Sequence, residues 1–217
     1  VYGVRFRDRT EAGQLLGREV ASRLGALSDA IVLALPRGGV PVGYEVANAL
    51  RAPLDVFIVR KLGVPGHEEL AMGAIASGGV RVLNHDVLAY AHITQQQIDA
   101  VAAREERELA RREAEYRGDR APFDVRGRMV IIVDDGLATG SSMRAAVQSL
   151  RAMEPKRVVV AVPVGAAQTC EELGGVVDEM ICLRTPEPFE AVGLWYVDFT
   201  QTTDAEVHAL LSKIHDK

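Results

Sequence analysis

Apolar residues in this chain fall into two kinds of segment that alternate. Short apolar runs at 31–35, 55–59, 130–133, 157–162 and 180–183 predict buried strands. A strand covered by helices on both sides has no solvent face to keep polar. Elsewhere the apolar positions recur at helical spacing. Ala12, Leu15, Leu16, Val20 and Leu24 mark a first helix, with Asp8 or Thr10 as its cap, Glu11 in its first turn and Gly25 as its stop. Val42, Val46, Ala49 and Leu50 mark a second, for which Pro41 suits the first helical position. Met143, Ala146, Val147, Leu150 and Met153 mark a third, and a further helix is expected around 166–173. Strands alternating with helices predict an α/β fold, with a central parallel sheet of about five strands flanked by helices. Right-handed crossovers place the C-terminal ends of such strands on one edge, where ligands bind.

Two stretches break this rhythm. From 62 to 83 the chain is glycine-rich, with Pro65-Gly66 and Gly78-Gly79 as turns and short strands at 71–76 and 80–83, the pattern of a flap. Within the stretch 84–121, residues 94–120 form a charged helical run. Glu108 to Arg112 and Glu113 to Arg117 are favourably ordered i,i+4 pairs, and Arg104 to Glu108 is the weaker order. Acids and bases nearly balance there, so a solvated face or a subunit contact in a homo-oligomer is expected. Beyond 184 the sparse aromatics gather at Phe189, Trp195 and Tyr196, as in a small hood that buries aromatic surface.

The chemistry concentrates at 129–143. An apolar strand ends in two adjacent carboxylates, Asp134 and Asp135. Gly136, Leu137, Ala138, Thr139, Gly140, Ser141 and Ser142 then lead into a helix. A glycine-bearing loop before a helix N-terminus collects free N–H groups and hydroxyls, which suits a phosphate. Carboxylates do not bind phosphate, but they accept hydrogen bonds from sugar hydroxyls and hold Mg²⁺ directly or through water. A phosphorylated sugar satisfies both halves. The missing Gly-Lys-Ser/Thr ending excludes a Walker A loop. Arg37, Gly38 and Gly39 form a second candidate anion loop between a strand and a helix, and Arg60 and Lys61 stand where the next strand is expected to end.

The string Val-Asp-Asp-Gly-Leu-Ala-Thr-Gly-Ser-Ser at 133–142 resembles the phosphoribosyl-pyrophosphate (PRPP) motif of type I phosphoribosyltransferases. The resemblance implies a Rossmann-like fold over roughly 31–183 with a flexible flap and a hood, all one domain across 1–217. It also implies a Mg²⁺-dependent transfer of the phosphoribosyl group to a nitrogen acceptor, with release of pyrophosphate, in nucleotide salvage or metabolism. Asp134 and Asp135 would contact the ribose hydroxyls, and residues 136–142 would wrap the 5′-phosphate. Leu-Pro-Arg-Gly-Gly at 35–39 resembles the family's pyrophosphate loop, so Arg37, Gly38 and Gly39 would hold the pyrophosphate, with Arg60 and Lys61 beside them. In the flap, Gly63 and Gly66 would be hinges and His67, Glu68 and Glu69 tip residues. Phe189 would stack on the base and Asp198 would join Asp134 and Asp135 in organising the metal, as in the hypoxanthine-guanine enzymes. The chain departs from those enzymes at Ala138, where they carry an aspartate for proton transfer. It also lacks, after 157–162, the lysine that reads their 6-oxo group.

Composition narrows the setting. The 217 residues are 48% hydrophobic, enough for a sizeable core. The formal net charge of −5 gives no support for sequence-independent nucleic-acid binding. No apolar run approaches the length of a membrane span, no secretory signal is evident, and a cytoplasmic location is the default expectation. Cys170 and Cys182 lack metal-ligand spacing and are expected as ordinary, partly buried thiols. A reading from another class is a PRPP- or nucleotide-sensing regulator that keeps the fold and binds RNA, DNA or a protein.

Overall fold

The computed structural model describes residues 5–25, 29–118, 120–121 and 123–215. Its centre is a five-stranded parallel sheet made of β1 (Ala30–Ala34), β2 (Leu54–Val56), β6 (Met129–Val133), β7 (Arg157–Val164) and β8 (Glu179–Arg184), in the order β2-β1-β6-β7-β8. Period-two alternation divides its side chains between two faces. Val32, Ala34, Ile131, Val133, Val159, Ala161 and Ile181 belong to one core. Helices α1 (Arg9–Leu24), α2 (Gly39–Leu50), α4 (Gln95–Arg117) and α7 (Asp204–His215) contribute to that core. Ile31, Leu33, Val130, Ile132, Val158, Val160 and Val162 belong to the other core, with α5 (Ser141–Arg151) and α6 (Ala167–Gly174). Both cysteines are free, Cys170 buried and Cys182 half-buried.

Local signals placed the helix ends well. Asp8 caps α1 by accepting the Glu11 N–H at 2.8 Å, and Gly25 ends it at φ +69°. Thr94 and Gln97 close a capping box on α4. Helix α2 begins two residues earlier than Pro41 predicts, at Gly39.

The expected strand 55–59 is a correction. Strand β2 stops at Val56, and β3 (Val59–Val64) belongs to a separate antiparallel sheet with β4 (His67–Ala76) and β5 (Val80–Leu83). The chain changes sheet at Phe57-Ile58. The Phe57 N–H still donates to Ala34 O at 2.9 Å, whereas Ile58 is bonded on both sides by buried Ser77. An apolar run cannot reveal which sheet accepts its hydrogen bonds. Pro65-Gly66 makes the β3–β4 turn as expected, but β4 starts at His67, so His67, Glu68 and Glu69 are exposed strand residues.

The charged stretch presents a solvated face, as expected, but it also has a buried one. After the short helix α3 (His85–Tyr90), α4 buries Ile98, Val101, Ala102, Leu109 and Tyr116, which join the core beside Leu62, Met72 and Ile75 of β3 and β4. The Glu108–Arg112 and Glu113–Arg117 pairs form at 2.8 and 2.7 Å, while Arg104 pairs with Glu105 instead. Arg117 reaches further. Its Nε donates to both oxygens of Asp55 at 2.9 and 2.8 Å, and a terminal nitrogen donates to Val56 O at 2.8 Å. Burial pushes the Asp55 carboxyl above its usual value, opposed by the Arg117 guanidinium.

Removing one partner of such a pair leaves an uncompensated interior charge. Arg117→Met is expected to cost roughly 3–5 kcal/mol at pH 7.5 in urea unfolding. Asp55 has a raised folded-state pKa, so its ionisation opposes folding as pH rises and is relieved as pH falls. The deficit of the variant should therefore shrink as pH is lowered toward about 4, the ordinary carboxylate value. A deficit that does not change with pH would rule out the buried charge as its cause.

Candidate active site

The strand order reverses between β1 and β6, the point of such a sheet where ligands bind beyond the C-terminal strand ends. Ala34 is in register with Val133, and the Leu35 N–H donates to Val133 O at 2.9 Å. This pairing brings the two candidate loops, about a hundred residues apart in sequence, into contact. A Cβ at Gly38 would overlap the Asp135 carboxylate, and one at Gly39 would lie 2.8 Å from Val133 O and 3.0 Å from the Asp134 Cα. Only glycine allows this approach. The Pro36–Arg37 peptide bond in this loop is cis.

Each loop ends at a helix whose N-terminus no side chain caps. Gly38 precedes α2 and Gly140 precedes α5. The loop after β6 is nevertheless well held. The Leu137 N–H donates to Val164 O at 2.9 Å, Ala166 N–H returns a bond to Leu137 O, and the Thr169 hydroxyl donates to Ala138 O at 2.8 Å. Gly140 adopts φ +70° with its α-carbon close against Thr169, a conformation and a space that suit no other residue. Gly136, Leu137 and Gly140 are buried, whereas Ala138, Thr139, Ser141 and Ser142 are exposed. The framework is thus interior and the donors face outward, as an anion site requires.

Asp134 and Asp135 sit at the floor between the loops, both half-buried. Asp134 Oδ1 accepts the Asp135 N–H at 2.8 Å. Burial, and then the neighbouring charge of Asp135, push the Asp134 carboxyl well above its ordinary pKa. Burial also raises Asp135, but Arg9 opposes it. Arg9 Nε donates to Asp135 Oδ2 at 2.8 Å, and a terminal nitrogen lies 2.8 Å from the same oxygen. None of these contacts uses Asp135 Oδ1. The fold compensates the ionised form of this pair only in part, so a cationic or hydroxyl-donating ligand would favour it.

Sequence reasoning missed Arg9 and Tyr196. The buried Tyr196 hydroxyl donates to Asp135 O, tying the hood to the acidic loop, and burial raises its pKa so that it remains a donor. Tyr196 also pairs with Phe6: the Phe6 N–H donates to Trp195 O at 2.9 Å and Val197 N–H to Phe6 O at 2.8 Å. The hood therefore includes the segment before α1. A signal for Arg9 existed: a cation in the first turn of a helix opposes the helix dipole and needs an anion from elsewhere.

The remaining candidates are more scattered. Arg37 is half-buried, with its guanidinium 3.6 Å from Asp204 of α7. Arg60 does not stand at a core strand end; it lies on β3 with its guanidinium 2.7 Å from Glu105. Lys61 is exposed on the same strand. Phe189 is half-buried against the Phe6–Tyr196 cluster. Asp198 accepts from the Thr200 N–H and hydroxyl at 2.9 and 2.7 Å. Among the described residues no three acidic, histidine or cysteine side chains form a metal-holding group, so Asp198 does not join Asp134 and Asp135 in a cluster.

The comparisons with known proteins agree with this architecture. A phosphoribosyl transferase domain model matches residues 11–194. The chain is 49% identical over 212 residues to "Putative phosphoribosyl transferase Rv0571c" of Mycobacterium tuberculosis, covering 97% of this chain and 47% of that protein. It thus spans about half the length of the curated relatives it matches. The crystal structure of TT1426 from Thermus thermophilus superposes with a TM-score of 0.87 at 45% identity, over 96% of this chain and 98% of that one. AQ2163 from Aquifex aeolicus shares the fold at 12% identity and a TM-score of 0.50, over 85% of this chain and 78% of that one. No helix among the described residues is long and apolar enough to cross a membrane. With the family model covering the sheet, both loops and the acidic pair, the chain belongs to the phosphoribosyl transferase domain family.

Proposed function

We propose that this chain transfers the 5-phosphoribosyl group of PRPP to a nitrogen acceptor and releases pyrophosphate. One observation carries the reading: the Arg37-Gly38-Gly39 loop touches the Asp134–Asp135 pair between two uncapped helix N-termini. PRPP has an anion at each end and a hydroxylated ring between them. The 5′-phosphate fits the N–H groups and hydroxyls of Thr139, Ser141 and Ser142 at α5, and the pyrophosphate fits residues 37–39 at α2. The ribose hydroxyls then fall on the acidic pair.

In that pose the chain's residues act by position and charge. The two helix ends fix the ring at both anions, which leaves C1 in place for attack. Asp134 and Asp135 stabilise the oxocarbenium-like charge that grows on the ribose as the bond to pyrophosphate weakens. His67, Glu68, Glu69 and Leu70 are exposed at the free end of the β3–β4 hairpin, and in this reading that end would swing over the bound ligand and limit water there. The donor set fits Mg²⁺ as that ion is usually held, by one or two carboxylates together with ligand phosphates, and so fits Asp134 and Asp135 without a protein cage. When bound there, the ion would neutralise charge on the leaving pyrophosphate. A nucleobase acceptor would put this reaction in nucleotide salvage or metabolism.

Turnover is tested by pyrophosphate release from PRPP and Mg²⁺ across a panel of nucleobases and amines. Release with at least one acceptor is expected; tight PRPP binding with no release under any acceptor would favour a sensor instead. Asp134→Asn and Asp135→Asn keep the shape and remove the charge, so kcat should fall roughly 10²-fold or more in each. Unchanged kcat in both would remove the pair from the mechanism. Ala138 brings no side-chain carboxylate, and Val164-Gly165 follow where an oxopurine-reading lysine would stand. A site without those polar partners loses most preference for 6-oxopurines, so hypoxanthine and guanine should turn over slowly. A kcat/KM at or above about 10⁴ M⁻¹s⁻¹ for either would contradict this.

A further inference from the structure

We propose that Arg9 is a leaving-group residue of this site, a cationic donor supplied by the N-terminal end of α1 to the pyrophosphate held on residues 37–39. The inference rests on the phosphoribosyl reading above and adds a residue that lies outside the span 11–194 matched by the family model.

The geometry around Arg9 is fixed from three sides. Nε and a terminal nitrogen meet Asp135 Oδ2 at 2.8 Å, the other terminal nitrogen donates to Thr200 O at 2.7 Å, and the guanidinium carbon stacks 4.0 Å from the Phe199 ring centroid. Only 11% of the side chain is exposed. Helix α1 is locked to α2, the helix that follows the pyrophosphate loop. Cβ atoms at Gly13 and Gly17 would lie 2.9 Å from Glu45 Cβ and Ala49 Cβ, so the two backbones pack in direct contact. Arg9 and residues 37–39 therefore sit on one rigid body, and a Cβ at Gly38 would lie 3.4 Å from Arg9 Nε. The cation borders the loop.

Arg37 lies in the loop itself, and the other cations considered for this role do not replace Arg9 beside it. Arg60 is engaged by Glu105, Lys61 is exposed on β3, and Arg37 is 3.6 Å from Asp204. Arg9 has five N–H groups, and the contacts above use three. A planar guanidinium can hold a carboxylate on one edge and a phosphate on the other, which a lysine cannot do as well. Its value lies in the transfer step. As the bond from C1 to pyrophosphate breaks, its electron pair moves to the pyrophosphate oxygen. The acceptor nitrogen forms the new bond to C1, and its proton goes to solvent. Negative charge thus grows on the leaving group beside Arg9.

Calorimetric titration of inorganic pyrophosphate, PRPP and ribose 5-phosphate, each with Mg²⁺, into wild type, Arg9→Met and Arg9→Lys tests the assignment. Ribose 5-phosphate lacks the leaving group and controls for an intact site. Arg9→Met should weaken pyrophosphate and PRPP roughly 10- to 100-fold, as expected for loss of charged hydrogen bonds, while ribose 5-phosphate, which meets Arg9 only through Asp135, should weaken much less. Arg9→Lys should fall between. Unchanged pyrophosphate affinity in Arg9→Met overturns the proposal, and so does an equal loss of all three ligands, which marks a merely structural role. If Arg9→Met does not fold, Arg9→Lys decides: weaker pyrophosphate with intact ribose 5-phosphate supports the assignment, and wild-type affinity for both overturns it. Wild-type protein that binds none of the three overturns the phosphoribosyl reading itself, and the Arg9 assignment with it.

Discussion

One backbone hydrogen bond, from the Leu35 N–H to Val133 O at 2.9 Å, marks the constraint on which the site depends. It extends the β1–β6 pairing past the last strand residues, to the point where both chains turn away from the sheet. A register slip of one residue would turn every inward side chain of one strand toward the opposite core. With both faces buried, neither core could accept the slip, because Ile131 and Val133 fill one and Val130 and Ile132 the other. The register is therefore set by packing along the whole strand. The contact between Gly38 and Asp135 is its consequence at the edge. Function at this edge inherits its precision from the core beneath it.

Charge is handled by the same long-range logic in two places. In the interior, Arg117 satisfies Asp55 with two hydrogen bonds and ties α4 to the end of β2. At the edge, Arg9 meets Asp135 but leaves Asp134 with a strongly raised pKa. A carboxylate pair compensated on one side only is poorly suited to stability and well suited to binding. A ligand that brings cationic character or hydroxyl donors gains what the fold leaves unsatisfied. The hood participates directly, since Thr200, Phe199 and Tyr196 all contact Arg9 or the Asp135 backbone.

The second sheet divides into a fixed and a free part. Leu62, Met72 and Ile75 are buried with α4, and Val59 and Ala76 pack into the core that α5 shares. Beyond them the β3–β4 register shifts at Leu62–Gly63 and Gly63–Val64, and His67 to Leu70 are exposed. Gly63 lies where a Cβ would strike the Glu68 backbone at 2.6 Å, so the irregularity is built into the sequence. Anchoring at one end and exposure at the other divide this hairpin into a fixed base and a solvent-facing tip.

Sequence periodicity revealed the elements whose causes are local and missed those whose causes are distant. Five strands, the cap at Asp8 and the stop at Gly25, and the loop from Asp134 to Ser142 were all legible, because each rests on residues a few positions apart. The change of sheet at Phe57-Ile58 was hidden, since its cause is Ser77, 19 residues on. The Arg117–Asp55 pair spans 62 positions and the Arg9–Asp135 pair 126. Yet neither pair was wholly silent. Asp55 opens an apolar run, and Arg9 stands at the positive end of a helix, so each violates a local rule. A charge where local physics disfavours it implies a partner that local pattern cannot name. In this chain following those two violations leads to the interior clamp and to the residue beside the acidic pair, which makes local conflict as informative a guide as the motif itself.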